Sequence, residues 1–173
     1  MDINVRWLAF PLHPETPEEG RTLEELFAGR SYDIPAALAH MKTVADADGL
    51  PFGNRTRTYN SRLAQELAKW AEEQGHGDAF HQAAFRAYFA DGKNIAKTGN
   101  LLDIVESVSL DTLEAKRVIE ERPYREAVDK DWELARGLGI TAVPTFLFGK
   151  SRLVGAQPYE ALKQFVGQGL MNS

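Results

Sequence analysis

The chain of 173 residues contains no cysteine. Disulfide staples, thiolate metal sites and cysteine nucleophiles are therefore excluded for the polypeptide as it stands. Histidine is scarce. His76 and His81, five apart in "HGDAFH", fit neither the i, i+4 pair of a zinc-binding helix nor a zinc finger, and they read as surface or capping groups, like His13 and His40. No apolar run approaches the ~20 residues that cross a bilayer. The opening "MDINVRWLAF" interrupts its apolar character with Asp2, Asn4 and Arg6, unlike a signal peptide, so a cytoplasmic location is expected by default. Charge of one sign is also lacking: the net charge of −5 does not suit a general binder of nucleic acid or anionic membrane. There is no phosphate-cradling loop, since "GLGI" precedes a strand instead of opening a helix, and no Ser-centred nucleophile elbow. The acidic runs "EEG", "EELF" and "EER" read as solvated faces, and no metal site is expected.

What is present suits one soluble α/β domain, with 43% hydrophobic and 26% charged residues. Ile3, Val5, Trp7 and Ala9 alternate with Asp2, Asn4, Arg6 and Leu8, a two-residue period that predicts a strand. "FPLHPETPEEG" ends it. From about Thr22 to Leu138 the signals are helical. Asp33 precedes Ile34-Pro35 and predicts a helix with Leu38, Met41 and Ala45 on one line. Asn60 or Ser61 caps a helix with the stripe Leu63, Leu67, Trp70 and Ala71, stopped by Gly75. Asp78 caps the next, which carries Phe80, Ala84 and Tyr88; this aromatic line reads as core. A further helix carries Leu101, Leu102, Val105 and Val108. Asp111 and Glu114 have the spacing of a capping box. Pro123 suits the first turn of a helix burying Ala127, Val128, Leu134 and Leu138.

After Gly139 the period changes back. "PTFLFG" and "RLVG", joined at Lys150-Ser151, predict a hairpin. Pro158 then opens a helix with Tyr159, Leu162, Phe165 and Val166 inward. Pro144 cannot donate a backbone hydrogen bond, which suits the first residue of a strand. Spacing alone predicts an ordinary trans peptide at that point, because cis forms only ~5–6% of X-Pro bonds.

The stretch "LGITAVPTFLFG…RLVGAQPYEAL" resembles the end of the DsbA-like thioredoxin-fold proteins, in particular a FrnE-like branch close to the 2-hydroxychromene-2-carboxylate isomerases. "INVRWLAFPLHPETPEEG" is similar to that branch's second strand and following loop. "RTYNSRLAQELAKWAEEQG…DAFHQAAFRAYFADGKNIA" is similar to the start of its helical insert. The resemblance runs from about Ile3 to about Leu170. It implies a thioredoxin-like α/β fold formed by a single domain over 1–173. Thioredoxin-core remnants at 1–21 and 139–173 would flank a helical insertion at about 22–138. It also implies a cis Val143–Pro144 bond. In the family the first strand and a helix carrying Cys-x-x-Cys come first. This chain starts where the second strand starts, so no position inherits the catalytic cysteines.

In that fold the first strand lies between the second strand and the one that begins at the cis-proline. A strand of that kind shares on the order of ten hydrogen bonds worth ~1 kcal/mol each, against a whole-domain stability of ~5–15 kcal/mol. Three arrangements would fill the gap: direct pairing of the Val5 strand with the Pro144 strand, a second chain in an obligate homodimer, or a longer natural gene encoding the dithiol upstream of Met1. The last is the expectation adopted.

The resemblance implies thiol–disulfide exchange, with this chain inactive as a dithiol enzyme in its present form. Val143 would pair with the backbone of a thiol- or disulfide-bearing peptide, Pro144 would hold the bend, and Thr145 would flank the groove. Asn60, a cap on its own evidence, would border that groove. No catalytic residue is expected. A glutathione-dependent isomerase or kappa-type transferase relative is the alternative, with Val143–Pro144 gripping glutathione; a non-catalytic, dimerising peptide-binding module is a third.

Overall fold

Good helix formers and well-placed caps account for most of the regular structure in the computed structural model, which describes residues 3–171. His13–Val128 forms one compact unit, and the described residues up to 12 and from 129 form another. The residues between 13 and 21 thus group with the helices, and the second boundary falls at 128/129.

The helical unit begins with β1 (Arg21–Thr22), which continues into α1 (Leu23–Leu26). Thr22 and Glu25 form a reciprocal capping box, Thr22 Oγ1 accepting from the Glu25 amide and Glu25 from the Thr22 amide. α2 (Ile34–Ala47) starts where the Asp33-Ile34-Pro35 signal predicts, with Asp33 Oδ1 accepting the Ala36 amide. The line of Leu38, Met41 and Ala45 is not buried: α2 has no buried residue. β2 (Arg57–Thr58) pairs antiparallel with β1, a two-residue ladder too short to leave a period in the sequence.

α3 (Arg62–Glu73) supplies the centre of the core. Leu67, Trp70 and Ala71 are buried, and Gly75 ends the turn with φ +75°. α4 (Gly77–Phe85) starts one residue before Asp78, which lies in its first turn; no side chain caps it. It continues as a π-helical turn, Arg86–Ala90. α5 (Thr98–Ser107) and α6 (Thr112–Glu121) add Leu101, Ile104, Val105, Ala115 and Val118 to the same core. Asp111 accepts the amides of Leu113 and Glu114. The capping box predicted from that spacing is only half formed: Glu114 instead accepts a hydrogen bond from the indole of Trp70 at 3.2 Å. A buried indole N–H without a partner is the costlier state, so it claims the carboxylate.

Glu66, 2% exposed, is held by Arg62 Nε at 2.6 Å and by both Nη2 and Nε of Arg122 at 2.7 and 3.1 Å. Tyr124 donates to Glu73 at 2.5 Å. Desolvation, then the hydrogen bond and charge of Glu73, push its phenol up to about 12 from 10.0. A raised acid in the folded state contributes stability that is fully present below the unfolded value and is lost as pH climbs from 10 through about 12. Ultraviolet titration is expected to show a late phenolate from Tyr124, moved toward the ordinary value in Glu73→Gln. Thr16, 2% exposed, has a hydroxyl with no hydrogen-bond partner among the described residues. Thr16→Val keeps the shape and removes the orphaned group, so a gain of about 1 kcal/mol is expected in urea unfolding.

α7 (Arg125–Gly137) crosses the boundary between the units. In the second unit follow β3 (Thr145–Phe148), β4 (Ser151–Val154) and α8 (Tyr159–Met171), with β3 and β4 forming an antiparallel hairpin in the register Phe146↔Leu153. Three expectations fail here. Residues 3–9 form no strand among the described residues; Asp2 lies outside them. The segment is held instead by the Ala9 amide on Asp131 at 2.9 Å and by Arg6 at 3.7 Å from the same buried carboxylate. A strand exists only as half of a ladder, and Ile3, Val5 and Trp7 are 47%, 66% and 39% exposed. Leu134 and Leu138, expected inside, are exposed. Tyr159 points to solvent at the start of α8, whereas Leu162, Phe165 and Val166 are half-buried.

Candidate functional site

The geometry around Val143 is set by the end of α7. Gly139 adopts φ +64°, and the Ile140 amide returns to the Ala135 carbonyl at 3.0 Å, closing the helix. Arg152 on β4 donates to the carbonyls of Leu138 and Gly139. A cation there complements the helix C-terminus and fixes where the connecting loop begins. No sequence signal marks Arg152, because its partners are thirteen and fourteen residues away. The loop is then tightened by Thr145 Oγ1, which donates to the Ala142 carbonyl at 2.7 Å. The Val143–Pro144 peptide bond is cis.

The hairpin register decides which backbone groups remain available. The Gly155 amide donates to the Pro144 carbonyl at 2.8 Å. In an antiparallel pair, residues on one strand alternate between bonding toward the partner and pointing away. Pro144, Phe146 and Phe148 therefore bond toward β4, and within β3 Thr145 and Leu147 direct their amides and carbonyls to the opposite edge, with Val143 in the bend that leads into it. Among the described residues nothing is paired there. Val143 is 45% and Leu147 39% exposed. The edge is backed from below: Phe148 packs onto the buried Gly169 of α8, where a Cβ would come within 2.0 Å of its ring. An unpaired edge of this kind is a template for one more extended segment.

Val143, Pro144 and Thr145 are thus brought together in one turn. Asn60 belongs to the helical unit. Its amide donates to the carbonyls of Pro14 and Thr16 at 3.2 and 2.8 Å, and its Oδ1 accepts the Arg62 amide at 2.9 Å. It therefore carries the cap at the start of α3, where Ser61 makes no side-chain cap bond. It also borders a cavity of about 140 Å³ with Glu18, Leu63 and Ala96. His76 bonds to the Gln74 carbonyl and His81 lies 3.4 Å from Glu72. No group of three or more candidate metal ligands occurs among the described residues.

A hairpin opened by X-Pro, followed by a helix that packs on it and joined to a helical unit, is the thioredoxin-like plan of the DsbA class. Residues 1–167 match the DSBA-like thioredoxin domain family, and the chain belongs to it. It is 28% identical over 159 residues to the uncharacterized protein YwbO of Bacillus subtilis, an alignment covering 90% of this chain and 76% of that one. The crystal structure of a probable DsbA oxidoreductase, SCO1869 of Streptomyces coelicolor, superposes with a TM-score of 0.84 at 27% identity, covering 94% of this chain and 73% of the other. The cytosolic disulfide reductase DsbM of Pseudomonas aeruginosa, solved with glutathione, shares the fold, with a TM-score of 0.58 at 21% identity over 81% of this chain and 78% of DsbM. No helix among the described residues is long and apolar enough to cross a membrane.

Proposed function

We propose that the chain serves thiol–disulfide exchange by aligning an extended, thiol- or disulfide-bearing peptide along the open edge of β3, with Val143 as the pairing residue. The observation that carries this reading is the edge of β3 left unpaired among the described residues, next to an exposed Val143 in a turn that Thr145 and Arg152 hold in place. Pro144 fixes the bend and Thr145 spends its hydroxyl proton on the turn, leaving recognition to the backbone. The chain has no sulfur nucleophile, so the reading assigns it binding and orientation, and no dithiol turnover of its own. Membership of the DsbA-like family supports the class of ligand. Asn60 enters only as a positioning residue that holds the segment from Pro14 to Thr16.

Two measurements test this. Insulin reduction by the chain is expected to show no thiol-dependent turnover. A short extended peptide containing a mixed disulfide is expected to shift the Val143, Thr145 and Leu147 amide resonances, and N-methylation of the peptide at the pairing position should weaken binding by about tenfold, the equivalent of one or two backbone hydrogen bonds. Unchanged affinity for the methylated peptide contradicts the reading.

A second reading is favoured by the DsbM relative solved with glutathione: the same Val143 backbone would pair with the cysteinyl unit of glutathione, as in a glutathione-dependent isomerase or transferase. Calorimetry decides, since no heat at millimolar glutathione removes it. The proposal also includes a cytoplasmic location and a homodimer; light scattering that returns a strict monomer removes the latter.

A further inference from the structure

A second site lies wholly within the helical unit, on the loop "GNRTRTYN" that precedes α3. Gly53 seats this loop: its amide donates to the Phe89 carbonyl at 2.9 Å, and a Cβ there would lie 2.1 Å from the Ala90 carbonyl oxygen. The loop is thereby docked on the π-helical turn, a feature that often marks functional sites. That turn presents Tyr88 and Phe89 in succession. The guanidinium of Arg55 lies over both, 4.9 Å from the Tyr88 ring centre and 5.6 Å from that of Phe89. Tyr88 is pinned in turn by its hydroxyl, 3.1 Å from Thr58 Oγ1.

Among the described residues Arg55 uses only Nε, donating to the Arg57 carbonyl at 3.2 Å. Its Nη groups have no acceptor among the described residues. Arg57 donates to the carbonyls of Glu19 and Gly20 at 3.3 and 3.2 Å. Neither guanidinium has a carboxylate partner among the described residues, although the chain as a whole carries more acid than base. The positive field extends further. Burial is the main cause that holds His13 below its ordinary range, and the charges of Arg30, Arg55 and Arg21 add to it against Glu15. Arg55, Arg57, Tyr59, Tyr88 and Gly92 line a cavity of about 40 Å³. That is room for two or three water-sized groups, enough for one oxyanion and too small for a whole metabolite.

We propose that this cavity is an oxyanion subsite, in which the unpaired Nη edge of Arg55, backed by Arg57, takes a single carboxylate or phosphate group of a ligand whose body remains outside. A stacked, immobilised guanidinium is suited to this, because its fork is already oriented and little rotamer freedom is lost on binding. The inference does not rest on the reading of the β3 edge.

Inorganic phosphate and, separately, succinate are titrated at ionic strength held constant with chloride, while nuclear magnetic resonance follows the Arg55 Nε–H and the Tyr88 ring. The expected result is a saturable shift at both groups. Saturation by phosphate alone, by succinate alone or by both identifies the source of the oxyanion and supports the subsite in each case. Arg55→Gln should weaken saturation by about tenfold or more, and Arg55→Lys, which keeps the charge without the fork, by an intermediate amount. Arg117→Gln, on the exposed face of α6, should leave it unchanged. Shifts that grow linearly as they do in chloride, or saturation that survives Arg55→Gln, overturn the proposal. Should Arg55→Gln fail to fold, the wild-type map decides: saturation away from Arg55 and Tyr88 overturns it equally.

Discussion

Glu66→Ala is expected to cost the helical unit about 3 kcal/mol in equilibrium unfolding, near the lower end of what breaking a buried ion pair by removing one partner costs. The carboxylate is 2% exposed and accepts from two arginines on α3 and at the end of α6. Removing it leaves two guanidinium groups facing each other without their shared acceptor. The lower end applies because the arginines can partly escape: their side chains are 16% and 38% exposed, so some of their charge recovers water. Glu66→Gln, which retains the shape and one acceptor, should lose roughly half as much. A separate contribution is readable at Arg122, a non-glycine residue with φ +54°. Arg122→Gly and Arg122→Ala both remove the ion pair, but only glycine is at ease in that conformation, so the glycine variant should be the more stable by about 1 kcal/mol. Equal stabilities for the two would show that the backbone carries no such cost. A loss below about 1 kcal/mol for Glu66→Ala would place the triad among ordinary surface pairs.

The parts of the fold legible in the sequence are those whose cause is local. Asp33 with Pro35, Asp111, and the Leu67-Trp70-Ala71 stripe each act within a turn or two, and the structure has the helices they predict. The hairpin is likewise a short-range object, although its turn falls at Gly149-Lys150, one residue before the expected Lys150-Ser151, because Ser151 pairs with Phe148. What escaped depends on partners far along the chain. Leu134 and Tyr159 on their helices, and Leu138 just past the end of α7, continue apolar periods, yet periodicity only says that a face could be covered, and these residues are exposed. Glu114 satisfies two rules at once, a cap three residues away and an indole forty-four residues away, and the buried donor wins. Residues 3–9 have the alternation of a strand without the neighbour that turns alternation into a ladder. The same limit applies to the candidate sites. Val143, Pro144 and Thr145 are candidates through a pattern contiguous in sequence. Arg152, which fixes the turn before them, and Arg55 on its aromatic bed both act through space, and no spacing in the sequence announces either.

Gly169→Val is expected to destabilise the second unit by about 3 kcal/mol, the upper range for overpacking a filled contact. Gly169 is buried on α8, and a Cβ at that position would lie 2.0, 2.6 and 2.7 Å from three carbons of the Phe148 ring. These are ring atoms of a half-buried side chain at the end of β3, so relief requires the ring, the strand or the helix to move. Gly167 is the internal control: it lies one place earlier by twos on the same helix, and a Cβ there meets nothing within 4 Å. Gly167→Val therefore shares the change in helix propensity, which is small and in the stabilising direction relative to glycine, and lacks the clash. The difference between the two variants isolates the packing of α8 on β3. Combining Gly169→Val with Phe148→Ala should cost less than the sum of the single changes, because the second change vacates the space that the first one needs. Strict additivity would mean that the ring and the glycine do not share that space. Because Phe148 supports the strand that Val143 leads into, the variant also separates two ways of losing peptide binding: Gly169→Val should weaken it together with stability, whereas N-methylation of the peptide weakens it with the protein untouched.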